Sequence, residues 1–406
     1  MINAKDGAQP PAFLSSHPTD SSRIQTLQSL LTTRMSEAKF ILTLNVGSSS
    51  LKFALFDLDN PSDTLLGGNI EGVADERRFD LVLKKLAPIT AVDRLAAVGH
   101  RIVHGGPNFS VPQRVNVEVI NELKRLVAFA PEHLPAEIAL IELVARRLPP
   151  LVQVVCFDTA FHRDLPRVAQ QLPIPRRYAA AGIRRYGFHG LSYEFLRDEL
   201  IHLGDPAATK GRVILAHLGS GASLAAMLNG QCVDTSMGFT PAAGLVMGTR
   251  AGDLDPGLLC YLARKMSTAQ LDRLVNHESG LLGVSEISAD MRELLRLEPS
   301  DLRAAEAIAL FCQQAKKWIG SFAAVLDGLD TLVFAGGIGE HNATIRSRIC
   351  AGLDFLGLEI DDALNAEHAA VISAKASRVT VRVIPANEAL VIARAVSRLL
   401  QPAIGS

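Results

Sequence analysis

Residues Phe40–Leu58 read FILTLNVGSSSLKFALFDL, and the fold turns on this stretch. An apolar run, Phe40–Leu44, enters a polar turn, Asn45-Val46-Gly47-Ser48-Ser49-Ser50; a second, partly alternating run, Lys52–Phe56, ends at Asp57. β-Branched and aromatic residues on either side of a Gly/Ser cluster predict strand–turn–strand. The turn offers backbone N–H groups, three serine hydroxyls, an amide and one lysine, a convergence of donors that suits a phosphate. It is not a Walker A loop, because G-x-x-x-x-G-K-[ST] is absent and a strand, not a helix, follows. An ordinary Ser-rich hairpin fits the same residues, and this stretch alone leaves both readings open.

The second half of the chain repeats the theme. Val213–Leu218 is an apolar run, Gly219-Ser220-Gly221 a tight turn, and Ala222–Leu228 a second run. Two such hairpins about one domain length apart favour two domains that hold the two ends of a triphosphate between them. Thr331–Ala335 opens into Gly336-Gly337-Ile338-Gly339-Glu340, a strand entering a Gly-rich turn ahead of a helix, where close backbone approach favours a phosphate or ribose. Helices are expected within Val115–Leu148, broken at the prolines 131 and 135, and over Leu302–Leu329. Buried strands are expected at Leu95–Val103, Leu151–Phe157 and Val379–Ile384, and a helix from Pro385-Ala386-Asn387-Glu388 to Leu400.

Composition bounds the class. At 406 residues and 48% apolar content the chain exceeds what one core usually serves. A net charge of −1 gives no reason to expect nucleic acid or an anionic membrane as partner. Five scattered cysteines without a C-x-x-C fit free thiols in a reducing cytoplasm and no zinc site. There is no apolar span of membrane length and no signal-peptide pattern at the start. Residues 1–38, rich in Ser, Thr, Pro and Gln, are expected to form a mobile N-terminal tail with a short helix near Ile24–Leu31; Met35 is an alternative start.

Individual residues carry two readings each. Arg101 sits inside an apolar strand, where a charge needs a partner or ligand, unless it snorkels from the strand end. Asp158 follows a buried strand, the position of many metal- or phosphate-facing acids and of many loop caps. His189 lies in a glycine-bracketed loop, free to contact a substrate or to pack. The irregular segment Asp234–Gly257 embeds Arg250, and long loops of this kind usually have a function or are mobile. Glu388 is either functional or a first-turn acid favoured by the helix dipole.

Taken together, these segments resemble the acetate kinase family, from about Phe40 to the C-terminus. The resemblance rests on ordered motifs: N-V-G-S-S-S-L-K at Asn45–Lys52, G-H-R-I-V-H-G-G at Gly99–Gly106, F-D-T-A-F-H at Phe157–His162, R-Y-G-F-H-G at Arg185–Gly190, H-L-G-S-G-A-S at His217–Ser223, D-T-S-M-G-F-T-P and G-L-V-M-G-T-R within Asp234–Arg250, G-G-I-G-E at Gly336–Glu340 and I-P-A-N-E at Ile384–Glu388. It implies an α/β fold of two related actin-like (ribonuclease H-like) domains, each a mixed five-stranded sheet with flanking helices, closing on a nucleotide. The division it implies is residues 39–158 with 389–406, on the carboxylate and phosphate side, against residues 159–388, on the nucleotide side.

The implied activity is reversible, direct transfer of a phosphoryl group from ATP to acetate, giving acetyl phosphate and ADP. Propionate or another short-chain carboxylate is the near alternative acceptor, and an actin-like ATP-binding switch is the alternative of another class. The resemblance further implies Mg2+, with Mn2+ able to substitute, and a homodimer. It assigns Asp158, His189 and Arg250 to catalysis. Arg101 would bind the substrate carboxylate, with Val103, Phe188 and Pro241 as the apolar wall around its methyl group. Lys52, Ser48, Ser50, His217, Leu218, Gly219, Ser220, Gly221, Asp290, Met291, Arg292, Gly337, Ile338, Gly339, Glu340 and His341 would contact the nucleotide, and Asn45 and Glu388 the metal.

The chain departs from the family pattern in several places. Its Ala130-Pro131-Glu132-His133-Leu134-Pro135 replaces A-P-L-H-N-P, Ser220 and His341 replace asparagines, and Leu191 and Tyr193 replace a Thr and a His. An ionised Glu132 inside an apolar pocket would lose solvation and repel a carboxylate. It is therefore expected to turn outward or pair with a cation, leaving Leu134 as the apolar contact; the alternative is a substrate bearing a hydroxyl or amine.

Overall fold

The computed structural model describes residues 39–47, 50–72 and 75–401. The expected tail and the Ile24–Leu31 helix lie outside the described residues, as does Ser48.

The opening hairpin forms as expected: β1 (Phe40–Val46) pairs antiparallel with β2 (Ser50–Asp57). β3 (Leu66–Glu71) adds to β2, and β4 (Leu95–Ile102) and β6 (Val152–Phe157) run parallel to β1 on its other side. The second hairpin is β7 (Arg212–Leu218) with β8 (Ala222–Leu228), extended by antiparallel β9 (Gln231–Thr235) and by parallel β10 (Thr331–Ala335) and β11 (Thr380–Val383). The sheets therefore read β3-β2-β1-β4-β6 and β9-β8-β7-β10-β11, with the same sequence of antiparallel and parallel pairings. The duplication expected from the two Gly/Ser turns is a duplication of whole sheets. The first sheet departs from the expected five strands, because the two-residue β5 (Gln113–Arg114) adds a sixth at its edge beside β6.

Apolar side chains fill both faces of the central strands, the pattern of sheets covered on both sides. One face of the first sheet is covered by the helices Asp75–Leu86 and Leu134–Arg147, which share a core with Leu42, Leu44 and Val98. Its other face takes the C-terminal helix Glu388–Leu400, whose Leu390, Val391, Ile392, Ala395 and Val396 pack with Ile41, Phe56, Ala97 and Val154. Gly99 of β4 permits this approach: a Cβ there would lie 2.4 Å from a methyl of Ile392. The helix Gly190–His202 bridges the halves, with Leu191 in the core of the first sheet and Leu196 and Leu200 in a core with Val213 and Leu215. The long helix Leu302–Val325, four residues shorter than expected, covers the second sheet.

One further expectation needs correction in detail. Pro135 does not break a helix; it sits in the first turn of Leu134–Arg147, where its missing N–H has no intrahelical partner to lose. The irregular segment ends in the helix Pro256–Ala263, which Asp255 caps through the Leu258 N–H.

Candidate active site

Because β1, β4 and β6 are parallel, their carboxyl ends deliver Asn45, Arg101 and Asp158 to one edge of the sheet. Arg101 donates from Nε to both Asp158 oxygens at 3.1 Å and from Nη2 to Oδ2, and from Nη1 to Asn45 Oδ1 at 3.3 Å. Asn45 Nδ2 donates to Glu388 Oε2 at 3.3 Å, and that oxygen lies 4.0 Å from Arg101 Nε. One guanidinium thus gathers two carboxylates and an amide drawn from both ends of the chain. Burial pushes the fully buried Asp158 carboxyl up, and the neighbouring Arg101 pulls it down. The two-pronged contact to a cation that stays protonated keeps the pair ionic.

His189 starts the helix Gly190–His202 with a left-handed backbone, φ 56°, a strained conformation that clusters at functional sites. The Gly190 N–H donates to the Asp158 carbonyl at 2.9 Å and pins the loop to the end of β6. The His189 ring stacks on His217, with centroids 4.4 Å apart. Its Nδ1 lies 2.8 Å from Ser223 Oγ, and a Cβ on Gly221 would sit 3.2 Å from its Nε2 and 3.6 Å from Arg250 Nη1. Glycine at 221 therefore leaves the space where His189 and Arg250 converge. Burial holds His189 well below its ordinary pKa, and the nearby His217, Arg101 and Arg250 add to the effect. The ring is neutral.

Arg250 donates to the Pro241 carbonyl at 3.2 Å and lies 3.4 Å from His133 Nε2. Burial, then the charge of Arg250, lowers His133 to about 3, and because a guanidinium only donates, Nε2 of the neutral ring is the acceptor in that contact. Among the described residues no carboxylate lies within 4.0 Å of Arg250: this largely buried cation has neutral partners only.

Of these groups Asn45, Arg101, His189, His217, Gly221 and Glu388 line a cleft of about 1160 Å³ between the two sheets; Asp158, His133, Pro241 and Arg250 are not among its lining residues. Asn45, Ser50, Lys52, Arg101, His189, His217, Gly219, Ser220 and Gly221 line it, as do Asp290, Met291, Arg292, Gly337, Ile338, Glu340, His341 and Glu388. Leu218 and Gly339 do not line it: they lie buried against each other beneath the wall. The Glu340 carboxylate is turned inward, accepting from the Gly336 and Ala386 N–H groups and tying the Gly-rich turn to the segment that presents Glu388. Val103 and Phe188 are buried in one apolar cluster with Leu134, behind Arg101 and His189, and Pro241 reaches the site through its carbonyl.

Glu132 is not part of that buried cluster, although its carboxylate lies near enough to Arg250 to favour that charge. Its Oε2 meets His277 Nε2 at 2.6 Å, with both side chains partly exposed; the outward, paired arrangement expected of it is the observed one. Residue by residue, the sequence marks no role for His133 or Ser223, although both lie inside family motifs. The signal was spatial: each is a hydrogen-bond partner of a residue already singled out.

The donors at the sheet edge fit a magnesium ion that keeps most of its waters. Glu388 and Asn45 face the cleft, whereas Asp158 is engaged by Arg101, and Mg2+ usually takes one or two carboxylates with water and substrate phosphates. Among the described residues no group of three His, Cys, Asp or Glu stands together as a ready metal cage.

Two facing α/β sheets with a polar cleft between them define a class, the actin-like phosphotransferase architecture. The acetokinase family model matches residues 70–394. An acetate kinase from Rhodopseudomonas palustris is 43% identical over 391 residues, spanning 88% of this chain and 98% of its own length. A propionate kinase from Citrobacter rodentium is 42% identical, spanning 88% and 96%. The crystal structure of Porphyromonas gingivalis acetate kinase superposes with a TM-score of 0.82 at 34% identity, covering 90% of this chain and all of that one. The chain belongs to the acetokinase family and is a kinase.

Proposed function

We propose that the chain transfers the γ-phosphoryl group of ATP, directly and reversibly, to the carboxylate of acetate, with propionate as a second acceptor. The observation that carries this is Arg250: a largely buried cation whose hydrogen-bond partners among the described residues are all neutral, facing the same small space as a neutral histidine and a glycine. Such a space suits an anion. A carboxylate acceptor is already ionised at neutral pH, so its attack on phosphorus needs no general base. The obstacles are repulsion between two anions and the charge on the transferring oxygens.

In this reading Arg101 orients the acceptor carboxylate while Asp158 fixes the guanidinium. His189 Nε2–H and Arg250 donate to the transferring group, and Lys52 and Ser50 hold nucleotide phosphates. The Gly336–His341 turn and the Asp290–Arg292 segment receive the nucleoside. Mg2+ held by Glu388 and Asn45 would neutralise phosphate charge, with Mn2+ able to replace it. The halves divided at residues 39–158 with 389–406 and 159–388 would close on this assembly.

A second copy of the chain is the partner we infer. The helix Pro256–Ala263 carries Leu258, Leu259, Tyr261 and Leu262, yet none of its residues is buried, and Tyr261 is 50% exposed. The cytoplasm is the inferred setting, since all five cysteines are free thiols; no described helix is long and apolar enough to cross a membrane.

ATP-dependent acyl phosphate, trapped as the hydroxamate with hydroxylamine, tests the proposal with acetate, propionate and glycolate. Carboxylate-dependent hydroxamate is expected. ATP hydrolysis unaffected by any carboxylate would instead identify an actin-like switch.

A further inference from the structure

His189 must act through one particular nitrogen. A neutral imidazole carries one N–H, and which nitrogen holds it is set by the partner of the other. Nε2 is the atom beside Gly221 and Arg250, and among the described residues it has no hydrogen-bond partner. To donate from Nε2 the ring must accept at Nδ1, so the group at Nδ1 has to be a donor.

That group is the Ser223 hydroxyl, 2.8 Å away and fully buried on β8. A hydroxyl has one proton to give. Ser223 Oγ has a second neighbour, the hydroxyl of the fully buried Tyr193. Among the described residues Ser223 is the acceptor available to the Tyr193 proton, and burial keeps that phenol protonated by pushing its pKa well up. Tyr193 donating to Ser223 leaves the Ser223 proton one destination, His189 Nδ1.

We propose that Tyr193 and Ser223 form an ordered hydrogen-bond chain, Tyr193 O–H to Ser223 O–H to His189 Nδ1, that holds His189 as its Nε2–H tautomer. Tyr193 and Ser223 are then positioning residues. Tyr193 stands where the family pattern has a histidine, so its half of the hydrogen-bond chain departs from that pattern. The stacked neighbour is anchored similarly, His217 Nδ1 lying 2.8 Å from Ser192 Oγ, which keeps the two ring planes together. The consequence for phosphoryl transfer rests on the function proposed above; the tautomer itself does not.

The test therefore reads the tautomer without turnover. In full-length protein carrying 15N-labelled histidine, long-range 15N–1H correlation reports which ring nitrogen is protonated, and the signals lost in His189→Gln assign the ring. Wild type is expected to show protonated Nε2 and bare Nδ1. Ser223→Ala and Tyr193→Phe should each move the population towards Nδ1–H or an average of the two, whereas Ser223→Thr, which keeps the hydroxyl, should restore it.

In the hydroxamate assay kcat should fall tenfold or more in Ser223→Ala, with both KM values within about twofold of wild type. The double variant should be no worse than Ser223→Ala, because the two residues act in series. Protonated Nδ1 in wild type, or a tautomer unchanged in Ser223→Ala, overturns the proposal; so does a double variant whose losses multiply. A protein with the expected tautomers but no acyl phosphate retains the hydrogen-bond chain and refutes the kinase reading.

Discussion

Replacing Glu132 with leucine restores the residue type that the family pattern has at this position, and the structure limits what it can do. The Glu132–His277 pair spans 2.6 Å, but its side chains are 36% and 51% exposed. Surface pairs this exposed stabilise by about 1 kcal/mol at most. The carboxylate faces neither Val103 nor Phe188, so its removal should change the acetate KM by less than about tenfold, or ~1.4 kcal/mol. Leu134 is the contrasting position: it is 0% exposed and packs in the cluster that contains Val103 and Phe188. Leu134→Ala should destabilise by about 2–5 kcal/mol and weaken the preference among short-chain acids more than Glu132→Leu does. Steady-state kinetics of both variants with acetate, propionate and glycolate, beside their melting curves, give the comparison. If Glu132→Leu greatly improves acetate use and abolishes use of glycolate, Glu132 faces the substrate and the outward arrangement is wrong.

Other outcomes follow from the same geometry. Arg250→Ala should lower kcat by a hundredfold or more while leaving the ATP KM near wild type, since losing a donor to transition-state charge typically costs about 3–4 kcal/mol; near-normal kcat excludes that role. Arg101→Ala should raise the acetate KM and also lower the melting temperature, because it strands the buried Asp158 carboxylate, a loss of about 3–5 kcal/mol; an unchanged melting temperature would show that Asp158 finds another partner. Glu137 is buried, accepts from the Val103 N–H and is pushed by burial to about 8 from 4.5. Below 4.5 folded and unfolded chains are both protonated there. As pH rises towards 8 only the unfolded chain ionises, so stability is lost, by an upper bound of about 5 kcal/mol. Glu137→Gln should therefore melt increasingly above wild type between pH 5 and 8.5 (roughly the window of the shift), and parallel curves would refute the shift.

The two hairpins could be read because their apolar runs flank Gly/Ser turns, at Asn45–Ser50 and Gly219–Gly221, and the parallel strands because they are short apolar runs; the edge strands β3, β5 and β9 could not. β3 went unread: LGGNIE carries two glycines and only one buried side chain, so no period marks it. The helix Asp75–Leu86 was missed as well; seven of its twelve residues are charged, which masks the apolar stripe of Phe79, Val82 and Leu86. At the site, the motifs marked Arg101, Asp158, His189 and Arg250 one at a time. What they could not express is how these residues are paired. That Arg101 is held by Asp158 while Arg250 lacks an acid, and that Glu132 leans on a histidine 145 positions away, depends on contacts between segments distant in sequence.

The bond between Asn45 and Glu388 joins residues 343 positions apart, and this gives the chain's biosynthesis a particular order. β1 is among the first described segments to leave the ribosome and the helix Glu388–Leu400 among the last. Until that helix emerges, Ile41, Ala97 and Val154 lack the side chains that cover them, and the cleft lacks Glu388. A nascent chain can complete its second sheet while the first still has a bare face, so the hydrophobic covering of the first half and the last acidic group of the site arrive together. A chain terminated before this helix would leave Ile41, Ala97 and Val154 uncovered and its cleft without Glu388, the mark of a product for degradation.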